Sequence, residues 1–168
     1  MCTSLDGYIS NADGLPVQLS DPEFDPEAYG LVELQANSDA VLMGHTTLMP
    51  ALEVADQWPW SDVDVFVLAS ERPAGTPDDV VVESDPDRLL ERVRGANHGG
   101  DVHLIGGPTT IETYRRRGAI DEFGLLVLPI FAGEGMRLTP ALQVDDRLEL
   151  KSERALPHGA VELLYEAP

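Results

Sequence analysis

The chain is poor in several residue types that carry chemistry elsewhere. Cys2 is the only cysteine among 168 residues, so an intrachain disulfide is impossible and a thiolate metal cage is excluded. Lysine occurs once, at Lys151, and aromatic residues make up 6% of the chain. No apolar run approaches the roughly 20 residues needed to cross a bilayer. The opening MCTSLDGYIS lacks the basic-then-apolar order of a secretory signal. These absences predict a cytoplasmic protein without a membrane partner. His98, His103 and His158 lack the spacing of metal ligands, so no metal is expected.

Positive charge is also scarce. Eleven Lys and Arg stand against 30 Asp and Glu, a formal net charge of -19. Such a surface repels nucleic acid and favours solubility. A GC-rich genome and adaptation to high salt both account for an acidic, lysine-poor composition, and the sequence does not separate them. The acidity does constrain any anionic ligand: its phosphates need helix N-termini and one or two arginines to offset the global field.

What is present is an alternation of strand-like and helix-like segments over a length typical of one domain, spanning 1–168. Strands are expected at Cys2–Leu5, Ala40–Met43, Val63–Ala69, Val80–Val82, Asp101–Ile105 and Glu122–Phe131. Helices are expected at Asp25–Asn37, Asp85–Asn97, capped by Asp85 with Pro86 at the first position, and Thr109–Arg117. Glu71–Asp79 reads as a loop. Leu148–Ala155 and Ala160–Tyr165, joined by Pro157-His158-Gly159, read as a terminal antiparallel hairpin. Trp58 and Trp60 flank Pro59 and could line a cleft or cover the core edge, with core packing the expected role.

Three segments place a possible ligand-binding turn at the end of a strand. VHLIGGPTTIETY (102–114) runs from a strand through Gly106 and Gly107 into a helix, whose first N–H groups suit an anion. VLMGHTTLM (41–49) repeats the order, with Thr46 or Thr47 able to cap the helix or meet a phosphate. VFVLASERP (65–73) sets Ser70 and Arg72 just past a strand, on the edge where open α/β sheets bind ligands. Asp6-Gly7 is a turn signal, with Asp6 a weak candidate for a catalytic or substrate-binding carboxylate. Glu134 lies between two glycines on a loop and is a second weak candidate.

Together with SLDGYIS (4–10), DAVLMGHTTL (39–48), VFVLAS (65–70), HLIGGPTTIETYRRRGAIDEF (103–123) and LPIFAGEGMRL (128–138), these segments resemble the dihydrofolate reductase superfamily. The resemblance is closest to the branch that includes the reductase domain of riboflavin biosynthesis. It implies a dihydrofolate-reductase-like α/β fold: a mixed, mostly parallel central sheet flanked by helices, ending in an antiparallel hairpin. It further implies an NADPH-dependent reductase acting on a small, heterocyclic substrate. The adenosine side would be held by Gly44, His45, Thr46, Thr47, Ser70 and Arg72. The diphosphate would be held by Ile105, Gly106, Gly107, Pro108, Thr109 and Thr110. Backbone groups at Thr3–Leu5 and Ile9 would meet the nicotinamide carboxamide. Relatives often form homodimers.

The chain departs from that pattern at three places. His45 stands where relatives carry an arginine for phosphate, and Arg72 is a possible substitute. Ile105 replaces a glutamate that contacts the pyrimidine, and Gln35 falls where an arginine holds the ribose phosphate. A 5-amino-6-(5-phosphoribosylamino)uracil reductase is therefore an alternative rather than the first expectation. A non-catalytic nucleotide-binding descendant is the other.

Overall fold

The computed structural model describes residues 1–54, 58–138 and 147–167. In chain order the elements are β1 (Cys2–Ser4), α1 (Leu31–Ala36), β2 (Ser38–Gly44), α2 (His45–Val54), β3 (Asp64–Leu68), β4 (Val81–Glu83), α3 (Pro86–Ala96), β5 (Asp101–Gly106), α4 (Pro108–Arg115), β6 (Glu122–Leu128), β7 (Glu149–Ala155) and β8 (Val161–Glu166). They fall into two compact units. One comprises Met1–Val32 with Tyr114–Pro168, the other Glu33–Thr113.

The second unit is a four-stranded sheet in the order β4-β3-β2-β5, with every pairing parallel. Parallel strands covered on both faces read as unbroken apolar runs, and Val41, Leu42 and Met43 on β2 are all buried. Alternation along the strand sends Val41 and Met43 to one face. There they meet Leu48 of α2 with Val65, Val67, Ala69 and Val80. Trp58 and Trp60 pack against this cluster edge to face, their ring centroids 5.0 Å apart, as expected for core-edge residues. α3 begins as its sequence dictates: Asp85 accepts from the amides of Asp87 and Arg88, Pro86 takes the first position, and Leu89 and Val93 form the buried stripe.

Two irregularities adjust the register between β2 and β5. Asp39 is an extra residue in β2, and its Oδ2 accepts from the amides of His98 and Gly100, fastening the turn before β5. Ile105 is the compensating extra residue in β5, placed between the pairs Leu42↔Leu104 and Met43↔Gly106. Each bulge re-aims the backbone that follows it.

The first unit pairs β1 parallel to β6, then β6, β8 and β7 antiparallel, in the order β1-β6-β8-β7. The terminal hairpin β7–β8 is thus present as expected, turning through Pro157–Gly159. Val17, Tyr29, Leu126, Leu128 and Ala160 form its core, with Phe24 edge-on to Tyr29.

Several spans differ from expectation: the ends of β1 to β5 shift by one or two residues, and three further elements change as follows. The helix anticipated from Asp25 shrinks to Leu31–Ala36, because Gly30 adopts φ +75° and residues 25–30 form turns before it. The strand expected to reach Phe131 ends at Leu128, since Pro129 has no N–H to continue the ladder. α4 starts one residue earlier, at Pro108, and stops at Arg115. Leu48 has no exposed surface. Leu48→Ala should lower the unfolding free energy by about 2–5 kcal/mol in a urea titration, and Asp85→Ala by about 1 kcal/mol through loss of the cap.

Candidate functional site

In the second unit the chain runs from β2 outward to β3 and β4, then returns to add β5 on the opposite side of β2. The carboxyl ends of β2 and β5 therefore form the switch point of the sheet, where neighbouring connections depart in opposite directions and leave a crevice. Both strands end there in glycine and pass at once into a helix: Gly44 into α2, and Gly106-Gly107 into α4.

The two turns interlock. A Cβ on Gly44 would fall within the contact radius of Thr110 Oγ1, 3.5 Å from Thr110 Cβ and 3.9 Å from the Gly106 carbonyl oxygen. A Cβ on Gly107 would stand 3.8 Å from Thr47 Oγ1. Gly106 has φ +132°, a region L-residues rarely adopt, and the Gly106–Gly107 peptide is cis. The Gly107 carbonyl accepts the first turn-closing bond of α4, from Ile111 N at 3.0 Å, so the amides of Thr109 and Thr110 precede the intrahelical ladder. α2 presents its own first turn, His45 to Thr47, on the adjacent strand end. Two helix N-termini and backbone that no Cβ obstructs make a cradle suited to an anionic diphosphate. Pro108 and Thr110 are buried in it, Thr47 is half-buried, and His45, Thr46 and Thr109 are exposed.

Further along the same edge, Ser70 follows β3 and is exposed. Arg72 is turned back on its own loop. Its Nη1 donates to the Val80 carbonyl at 3.0 Å and its Nη2 to that of Pro77. Arg72 is therefore a brace for the 73–80 loop, which differs from the role of substitute phosphate ligand. Ile105 packs against the core cluster, and Gln35 Nε2 donates to the Pro59 carbonyl at 2.8 Å. Both substrate-recognition positions of the family pattern are thus engaged in packing within this unit. Burial pushes the His103 imidazole on β5 down to about 4, so it is neutral at pH 7 and adds no charge.

The remaining candidates lie in the first unit, where SLDG and the GEG loop meet. The Asp6 carboxylate accepts from Ser4 Oγ at 2.6 Å, Ala132 N at 3.0 Å and Gly133 N at 2.8 Å. The Ser4 hydroxyl and these amides hold its pKa down at about 2. With three donors converging on it, the carboxylate is held in its ionised form and clamps the SLDG turn to the GEG loop. Arg137 completes the brace: Nη1 donates to the Asp6 carbonyl at 2.9 Å, Nη2 donates to Tyr8 Oη, and Cζ lies 4.1 Å from the Tyr8 ring centroid. Sequence reasoning missed Arg137, whose only signal was a lone cation beside the GEG loop. Gly135 is required there, because its φ is +127° and a Cβ would collide with the Ser10 carbonyl. Glu134 is exposed. Of the backbone groups at Thr3–Leu5 and Ile9 anticipated as carboxamide contacts, Leu5 N and Ile9 N donate to the carbonyls of Ile130 and Met136.

Residues 1–161 match the family described as RibD C-terminal domain. The chain belongs to that family. YwjB of Bacillus subtilis, a protein of uncharacterised function, is 25% identical over 166 residues, covering 98% of this chain and 94% of YwjB. A solved structure from Shewanella sp. PV-4, described as a candidate riboflavin biosynthesis protein, superposes with a TM-score of 0.80 at 26% identity. It covers 100% of this chain and 96% of its own. The bifunctional diaminohydroxyphosphoribosylaminopyrimidine deaminase/5-amino-6-(5-phosphoribosylamino)uracil reductase of Thermotoga maritima shares the fold, with a TM-score of 0.69 at 14% identity. This chain covers 55% of that enzyme. The dihydrofolate-reductase-like fold and the reductase-domain family anticipated from sequence are thereby established. Among the described residues no cluster of metal-binding side chains occurs, and no helix is long and apolar enough to cross a membrane.

Acid should act on this protein in two steps. His103 has a lowered pKa in the folded state, so its contribution is complete above about pH 6.5 and is lost as pH falls toward about 4. The Asp6 contribution is present above its unfolded value near 3.9 and is lost as pH falls toward about 2. Urea titrations from pH 8 to pH 2.5 should show both declines, and His103→Asn should flatten the upper one. Gly44→Ala should lower Tm by several degrees, since Thr110 is buried and must move; an unchanged Tm would refute the interlock.

Proposed function

We propose that this protein is a reductase that uses a reduced nicotinamide dinucleotide to reduce a C=O or C=N bond of a small, heterocyclic substrate. The observation that carries this reading is the pair of interlocked glycine turns at the switch point of the parallel sheet. The family resemblance points to NADPH as the dinucleotide. Gly106, Gly107, Thr109 and Thr110, with the first turn of α2, would hold the diphosphate through backbone amides and hydroxyls. The adenosine half would extend past Gly44 and His45 toward Ser70.

When bound, the dinucleotide supplies the hydride, and the chemistry belongs to it. The protein contributes position. A braced carboxyl edge fixes the diphosphate, and a fixed dinucleotide confines the reacting ring to a narrow set of placements. With Asp6 ionised and clamped, the proton that completes the reduction comes from water in this reading.

The riboflavin-pathway activity is the second reading, favoured by family membership. Ile105 and Gln35 argue against it, because neither offers a charge to a pyrimidine or a ribose phosphate. Homodimerisation belongs to the proposal as well: β7 ends the sheet of the first unit and exposes all seven of its residues.

Titration of Trp58 and Trp60 fluorescence with NADH and NADPH should show saturable quenching with a Kd in the micromolar range. Absence of quenching and of calorimetric heat with both would sink the proposal. Turnover of 5-amino-6-(5-phosphoribosylamino)uracil should be undetectable in an assay that a genuine pathway reductase passes. Light scattering should report a particle of twice the chain mass.

A further inference from the structure

The two reduced dinucleotides differ by one phosphate on the adenosine 2′-oxygen. A protein distinguishes them by what it places beside that ribose. In a parallel β-α-β unit holding a diphosphate at its first turn, the adenosine ribose lies at the carboxyl end of the second strand. A carboxylate there accepts from the 2′-hydroxyl, whereas a guanidinium there grips the 2′-phosphate.

β2-α2-β3 is such a unit, with Gly44 at the first turn and the second strand ending at Leu68. The residues that follow are Ala69, Ser70, Glu71 and Arg72. Ser70 and Glu71 are exposed at the strand end. Arg72 is exposed too, but its Nη1 and Nη2 donate to the carbonyls of Val80 and Pro77 and hold the guanidinium to its own loop. The next strand along, β4, ends in Glu83, whose Oε1 accepts from the amides of Ser84 at 2.8 Å and Asp85 at 3.2 Å. Those bonds hold the Glu83 carboxyl below its ordinary range, with help from Arg88 in the first turn of α3. The segments closing β2, β3 and β4 (45–47, 69–72 and 83–85) contain three carboxylates, Glu71, Glu83 and Asp85, and no lysine or arginine besides Arg72. The net charge of -19 adds a repulsive background to any further dianion.

We infer that this edge selects against the 2′-phosphate, with Glu71 accepting from the 2′-hydroxyl of the adenosine ribose, so that NADH is the preferred reductant. The inference rests on the dinucleotide reading above and narrows it, in a direction opposite to the NADPH use that the family resemblance implies. Glu71 is a specificity residue in this account; it touches no reacting atom.

Calorimetric titration of the wild-type chain at low ionic strength with NADH, NADPH, ADP-ribose and 2′-phospho-ADP-ribose tests it. NADH should bind about fivefold or more tighter than NADPH, and the two ADP-ribose probes should rank in the same order. Added salt should narrow the gap, because like-charge repulsion at an exposed edge is screened. Glu71→Arg should reverse the preference by tenfold or more, chiefly by tightening NADPH. Equal or tighter NADPH binding by the wild-type chain, or a preference unmoved in Glu71→Arg, overturns the inference while the dinucleotide site stands. Failure of all four probes to bind removes the proposed function and this inference with it.

Discussion

The close approach of Gly44 to Thr110 is the constraint on which the candidate site depends. Two helices leave adjacent parallel strands at one edge, and their first turns can lie side by side only where no Cβ intervenes. Glycine at position 44 admits Thr110, and at 107 the Thr47 hydroxyl lies at ordinary contact distance from where a Cβ would stand. The apolar core beneath makes the approach rigid, because β2 is buried on both faces and carries α2 with it. The cradle for an anion is then a consequence of packing, built from backbone groups that add no net charge.

That matters in a chain this acidic. A binding site made from arginines would be the direct solution for a phosphate, yet Arg72, which follows β3, is bonded to its own loop. Helix N-termini offer a local attraction that falls off within a turn, so they can hold a diphosphate while the wider surface stays repulsive.

In the first unit, Asp6 was a plausible reactive carboxylate from its place in SLDG, but three donors converge on it and keep it ionised. Its work is to bind the 4–10 segment to the 130–137 loop, with Arg137 and Tyr8 finishing the brace. Residues far apart in sequence, joined by 126 positions or more, thus act as one rigid piece of loop.

The sequence by itself determined the alternation of strands and helices, the Asp85 cap, the terminal hairpin and the two glycine turns. Each is written in local chemistry: apolar runs, a capping carboxylate before proline, glycine where a strand meets a helix. The shortening of the first helix was less legible, since the conformation of Gly30 depends on the turns packed around it. Tertiary structure alone decided the strand order that sets Gly44 beside Gly106, the outward or inward turn of the Arg72 guanidinium, and the donors around Asp6. Those outcomes are contacts between distant segments, and a residue type states what bonds it can make without stating which partner the folded chain will bring to it.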